Sequence, residues 1–104
     1  MEYKIKYLDT ALKDLENITD YITNTLHAPQ AALDFIDELD KTAEHLKQFP
    51  YSHKIYLCDR PLLLEYRVLP IKNYLLFYVV VENAVEIHSV IYSKRDIEKI
   101  IKMQ

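Results

Sequence analysis

The spacing of apolar residues changes from helical to strand-like in the middle of the chain, and this change limits the possible folds more than any other feature of the sequence. From Leu8 to Leu46, apolar residues recur every three or four positions, which predicts amphipathic helices. Between Leu62 and Tyr92 they alternate with polar residues or form short runs, which predicts strands. We therefore predict one α+β domain over residues 1–104, in which a helical hairpin covers one face of an antiparallel sheet.

A short strand and a first helix are predicted at the start of the chain. Residues 3–7 alternate between aromatic or aliphatic residues and lysines, which is typical of a strand. The helical spacing then runs from Leu8 to Leu26. Asp9 or Thr10 is the predicted cap, because a short side-chain oxygen can accept a hydrogen bond from a free helix N–H.

A second helix is predicted after a break at His27–Ala28. Pro29 suits its first turn, where no N–H donor is needed, and Phe49–Pro50 ends it. A break this short implies that the two helices are antiparallel. Residues 51–61 have no clear periodicity and are predicted to be irregular.

The second half of the chain is predicted to form a meander of three strands, at Leu62–Leu69, Tyr74–Val81 and Val85–Tyr92. The chain has no glycine, so other residues must form its turns. We expect Asn73 to take a positive φ in the first turn and Glu82–Asn83 to form the second. From Ser93 a short basic helix is predicted, which gives the order β-α-α-β-β-β-α with a three- to four-stranded sheet.

Composition excludes several classes of function. Cys58 is the only cysteine, and the four histidines have no metal-ligand spacing, so we expect no disulfide and no metal. Without glycine there is no phosphate-binding loop, so no nucleotide cofactor is expected. The chain has neither an apolar run long enough for a membrane span nor a secretory signal, which predicts a cytoplasmic protein. Its net charge of −3 argues against nonspecific duplex binding.

Residue parity on the predicted strands indicates a candidate site. If the apolar side of each strand meets the helices, the open face gathers polar and charged side chains, and further basic residues lie at its edge. The residues of this face are Glu65, Arg67, His88 and Tyr92, with Lys94 and Arg95 at the edge. We expect the side chains of Arg67 and Arg95 to be exposed.

Three segments resemble the RelE/ParE toxins of bacterial type II toxin–antitoxin systems. Tyr66–Tyr78 is similar to the arginine, the turn and the central strand of that family, with its Asn-Tyr-x-x-x-Tyr pattern. Ile87–Asp96 resembles the last strand and the basic-Arg-Asp tail, and Phe49–Ser52 resembles the end of the helical hairpin. The resemblance implies a growth-inhibiting toxin that a co-expressed antitoxin neutralises. The antitoxin would fill an apolar groove on the hairpin or beside the sheet edge.

One branch of this family cleaves messenger RNA on the ribosome. Cleavage requires a base, a cation and an acid around one phosphate. The resemblance would make Glu65 the base, Arg67 or Arg95 the cation, and His88 or Tyr92 the acid. However, Leu75 stands where that branch usually carries an arginine, and Arg95 is followed by Asp-Ile-Glu, with no terminal His or Tyr.

The other branch poisons DNA gyrase by binding it, without chemistry of its own. The long hairpin, the missing arginine and the Tyr-Ser-Lys-Arg-Asp tail are closer to this branch, which we favour slightly. Lys72, Lys94 and Arg95 are then the expected target contacts. A third hypothesis is a module that still binds an antitoxin but no longer acts on a target.

Overall fold

The computed structural model describes residues 2–57 and 64–94. Cys58, Arg95 and nearly all of the predicted C-terminal helix lie outside these ranges. The described elements are β1 (Lys4–Tyr7), α1 (Asp9–Asp20), a π-helix (Tyr21–Thr25), α2 (Pro29–Gln48), β2 (Arg67–Ile71), β3 (Tyr74–Val81) and β4 (Ala84–Tyr92).

The four strands form one sheet in the order β1-β4-β3-β2. Strands β2, β3 and β4 are antiparallel, so the predicted meander is confirmed. Strand β1 pairs in parallel with β4, with Ile5 opposite Val85, and the sheet is therefore mixed. Ile5 and Tyr7 are half-buried while Lys4 and Lys6 are exposed, as the alternation predicts.

The hairpin is confirmed, but the predicted cap of its first helix is wrong. Leu8 occupies the N-cap position, and its side chain has no oxygen with which to cap the helix. Asp9 is already helical, and the Thr10 hydroxyl donates instead to the carbonyl of His88 at 2.7 Å. The π-helix ends before His27, whose positive φ of 53° reverses the chain, and Pro29 begins α2 as predicted.

The bounds of β2 and its turn also differ from the prediction. The strand begins at Arg67 rather than Leu62 and continues to Ile71. Because Ile71 still pairs with Tyr74, only Lys72 and Asn73 remain to reverse the chain. Lys72 takes the positive φ of 54°, so the expectation for Asn73 is wrong.

The core has a large cluster on the helix side of the sheet and a smaller one on the open side. On the helix side, Phe35 and Leu46 of α2 pack with buried strand residues such as Tyr78. On the open side, Phe77 packs with Val79 and neighbouring apolar residues. Strand β3 is thus covered on both faces, as its continuous apolar run predicts.

A β-bulge at His88 changes which side chains of β4 face the helices. Phe77 pairs with Ser89 and Tyr78 pairs with Ile87, so His88 is one extra residue in β4. Val90 then packs in the helix-side cluster although its parity differs from that of Ile87. The N–H of Val90 donates to Asp14 Oδ2 at 3.0 Å. Together with the bond from the Thr10 hydroxyl to the His88 carbonyl, this contact fastens α1 to the bulge.

Candidate functional site

Arg67 lies on the helix side of the sheet, not on the open face. It pairs across the sheet with Tyr78, whose side chain is in the helix-side cluster. Its Nη1 donates to the carbonyl of His53 at 2.7 Å, and its guanidinium lies 5.0 Å from the centre of the Tyr51 ring. The side chain is only 15% exposed, so the expectation that it is exposed is wrong. Arg67 fastens the segment that follows α2 to the sheet.

Glu65 accompanies Arg67. Its Oε1 lies 3.5 Å from Nη2 of Arg67, while most of the Glu65 side chain is in solvent. This pair is the only part of the expected four-residue site that the structure brings together. A carboxylate so exposed contributes little to stability through its ion pair.

His88 lies on the open side, where two neighbours hold both of its ring nitrogens. Its Nδ1 is 3.1 Å from the Tyr66 hydroxyl, and its Nε2 is 3.3 Å from Glu86 Oε1. An ionised carboxylate only accepts hydrogen bonds, so this network assigns the proton to Nε2 and makes Nδ1 the acceptor for the Tyr66 hydroxyl. His88 is 9% exposed, and the network fixes it as a packed side chain.

Tyr92 lies on the helix side because the bulge reverses its parity. Its ring centre is 5.7 Å from that of Tyr74, which in turn meets Phe35 edge to face at 5.4 Å. The prediction that these four side chains lie together on the open face is therefore wrong. Glu65 and Arg67 lie together, and His88 lies on the opposite face of the sheet. Tyr92 belongs to a different surface.

That surface is a groove of about 980 Å³ between the helical hairpin and the ends of β3 and β4. Tyr21 and Leu26 of the hairpin lie on it with about half of their surfaces exposed. Its largest apolar side chains are Ile18, Tyr21, Ile22, Leu26, Phe35, Tyr74, Ile91 and Tyr92. No local pattern in the sequence predicted the groove, because its lining residues come from the hairpin and from strands that are distant from it in the chain.

The rim of the groove is polar. Asp14 and Asp34 lie on its helix side, and Lys72 lies on its strand side. Burial raises the pKa of Tyr74 above its ordinary value of 10.0, and the neighbouring Tyr21 and Tyr92 add to this effect. The Tyr74 hydroxyl is therefore neutral at physiological pH, and the floor of the groove carries no charge from it.

Two other kinds of site are not found in the described parts of the chain. Within residues 2–57 and 64–94, no three His, Cys, Asp or Glu side chains are placed to hold a metal ion. In the same ranges, no helix is both long and apolar enough to span a bilayer.

The sequence and the fold can be compared with those of known proteins. A family model described as the ParE toxin of the type II toxin–antitoxin system parDE matches residues 5–97. The chain belongs to the ParE toxin family. No curated protein sequence matches it. The matched range includes the hairpin, the groove and all of the sheet except Lys4 at the start of β1, so the ParE-family assignment applies to nearly all of the described fold.

Solved toxin–antitoxin structures have the same fold as this ParE-family chain. A chromosomal ParDE system from P. aeruginosa aligns with a TM-score of 0.70 at 18% identity, over 89% of this chain and 98% of that one. The archaeal RelE–RelB complex from Pyrococcus horikoshii OT3 gives 0.60 at 15% identity, over 91% and 99%. The E. coli DinJ–YafQ complex gives 0.50 at 13% identity, over 88% and 93%.

Proposed function

We propose that this ParE-family toxin is neutralised by an antitoxin from the same operon and poisons DNA gyrase in the cytoplasm by binding, without catalysis. The antitoxin would occupy the groove between the hairpin and the sheet. The observation that supports action by binding without catalysis is that the candidate catalytic side chains do not all lie together. Glu65 and Arg67 lie on one side of the sheet, and His88 lies on the other.

The dispersal matters because RNA cleavage needs all its groups around a single phosphate. A base must reach the 2′-hydroxyl, a cation must face the phosphorane, and an acid must reach the 5′-oxygen. Arg67 already donates to a carbonyl and His88 already bonds to two neighbours, so neither is held ready for a phosphate. Leu75, at the position of the nuclease arginine, supports the same conclusion.

The target surface proposed here is the end of the sheet at the β2–β3 turn. Lys72 and Lys94 are exposed there. The N–H of Ser93 donates to the carbonyl of Asn73 at 3.0 Å, which holds the segment after β4 against this turn. Arg95 follows in the sequence and lies outside the described residues, so its place on this surface is a prediction. A cationic surface of this kind favours the approach of an acidic partner.

One observation favours the alternative of an mRNA endonuclease, namely the Glu65–Arg67 pair at 3.5 Å. Such a pair provides a base and a cation side by side. Neither of the expected acids, His88 or Tyr92, lies near this pair, and an mRNA endonuclease would therefore need a different acid, such as Tyr51, whose ring centre lies 5.0 Å from the Arg67 guanidinium, or a group from the tail beyond Lys94.

The deciding experiment is expression of the chain alone in bacteria, with DNA synthesis and translation followed separately by pulse labelling. We expect DNA synthesis to stop first, cells to filament and messages to stay intact. Purified chain should inhibit supercoiling by gyrase in vitro. An early loss of translation with cleaved messages would overturn the gyrase proposal in favour of the nuclease, and normal growth would indicate a module that has lost its target.

A further inference from the structure

The two rims of the groove carry charges of opposite sign. Asp34 lies on the α2 rim and is exposed, and its Oδ1 accepts a hydrogen bond from Gln30 Nε2 at 3.1 Å. Lys72 lies on the opposite rim, in the turn between β2 and β3. Within the described residues, neither of these two side chains forms an ion pair. Both charges are therefore available to a partner.

The helical hairpin extends the negative rim. Residues 9–48 contain nine acidic and three basic residues. Asp14 also lies on the groove, but one of its carboxylate oxygens already accepts the N–H of Val90. A segment that approaches the groove from the hairpin side therefore meets a negative potential, which attracts basic side chains.

The floor between the rims suits apolar side chains of a polypeptide. Tyr74 packs edge to face against the buried Phe35 and against Tyr92, so the exposed surfaces of Tyr74 and Tyr92 are already ordered before a partner binds. Aromatic residues in such positions often provide most of the binding energy of an interface. The volume of about 980 Å³ is at the upper end of the range for small-molecule pockets, and a row of side chains from one segment would fill it.

From these features we infer the chemistry of the antitoxin segment that fills the groove. The segment places apolar side chains over Tyr74 and Tyr92, a lysine or arginine against Asp34, and an acidic side chain or terminal carboxylate against Lys72. The opposite charges fix the direction in which the segment crosses the groove, with its basic residue toward α2. This inference rests on the proposed function, because it takes the groove to be the antitoxin site.

The test measures binding of the antitoxin encoded in the same operon to purified full-length chain by calorimetry at low and high salt. We expect Asp34→Lys and Lys72→Glu each to weaken binding about tenfold or more at low salt, and Asp34→Asn to weaken it less. At roughly 0.5 M salt the differences should shrink, because the added ions screen exposed charges. Asp37→Lys is the matched control, since it makes the same charge change on an exposed position of α2 that is not part of the groove.

The possible outcomes separate the two proposals. Loss of affinity in both groove variants, with Asp37→Lys close to wild type, supports the inferred arrangement of charges, with the basic residue at Asp34 and the acidic group at Lys72. If wild type binds the antitoxin but Asp34→Lys binds it equally well or more tightly, the inferred arrangement of charges is wrong while the toxin–antitoxin function stands. Equal losses in Asp34→Lys and Asp37→Lys would show a general charge effect and also overturn the inferred contact. If wild type binds no antitoxin, the proposed function itself fails.

Discussion

Replacing Asp14 by alanine tests the idea that α1 holds the bulge of β4 in place. The Val90 N–H donates to Asp14 Oδ2 at 3.0 Å, and Val90 is 3% exposed. Asp14→Ala leaves this buried donor without its acceptor. A hydrogen bond to a charged group contributes about 1.5–3 kcal/mol, and an unsatisfied buried donor costs about 1–3 kcal/mol. We therefore expect the free energy of unfolding to fall by about 2 kcal/mol.

The expected change in Tm follows from the size of the chain. For domains of about this length, 1 kcal/mol corresponds to roughly 4–8 °C, so Asp14→Ala should lower Tm by about 8–16 °C. The assay is equilibrium unfolding in urea, together with a thermal melt followed by circular dichroism. Asp20→Ala is the control, because it removes the same atoms from an exposed position of the same helix.

A small effect would contradict the reasoning. If Asp14→Ala and Asp20→Ala differ by less than about 0.5 kcal/mol, the carboxylate does not hold the bulge. Thr10→Val provides a second check, since it removes the bond to the His88 carbonyl on the other side of the bulge. We expect the two substitutions together to lower stability by an amount that differs from the sum of their separate effects, because they share one structural element.

Three further predictions concern other parts of the molecule. Arg67→Ala should lower the free energy of unfolding by about 1.5–3 kcal/mol, because it removes the bond to the His53 carbonyl; a change below about 0.5 kcal/mol in urea unfolding would mean that Arg67 does not anchor that segment. Burial, followed by the nearby His45, lowers the pKa of His53 below its ordinary value of 6.5. The unfolded chain therefore takes up the proton more readily, so the stability from His53 is present above pH 6.5 and is lost as pH falls below it. Urea unfolding at several pH values should show a shallower acid decline in His53→Gln than in wild type, and parallel curves would exclude this role. Finally, Lys72→Ala combined with Lys94→Ala should relieve growth inhibition without lowering Tm, since both side chains are exposed; unchanged toxicity in a growth assay would remove this surface from the target contact.

The sequence by itself determined the order and type of the described elements. Helical spacing and strand alternation are local patterns. Each one shows which face of its own element is apolar, whatever that element packs against. Pro29 marked the start of α2 because its ring suits a first helical turn, and Phe49–Pro50 marked its end. The family motifs could also be recognised in the sequence, because each of them is a continuous stretch of chain.

Turn details were less predictable than the turns themselves. The sequence placed a reversal near Asn73, but the pairing of Ile71 with Tyr74 moved the positive φ to Lys72. Asparagine tolerates this conformation better than lysine does, so local preference pointed to the wrong residue. The register of the two strands decided the outcome, and register depends on packing of the whole sheet.

Only the tertiary structure decided which side chains share a face. The parity argument assumed a regular β4, but the extra residue at His88 moves Tyr92 to the helix side and into the groove. That bulge is fastened by Thr10 and Asp14, which precede the bonded residues by 78 and 76 positions, so no local pattern in β4 reveals it. Arg67 is covered in the same way by the segment after α2, which folds back to bring the His53 carbonyl to its guanidinium. Contacts between distant parts of the chain, rather than the local sequence, therefore determine the candidate site.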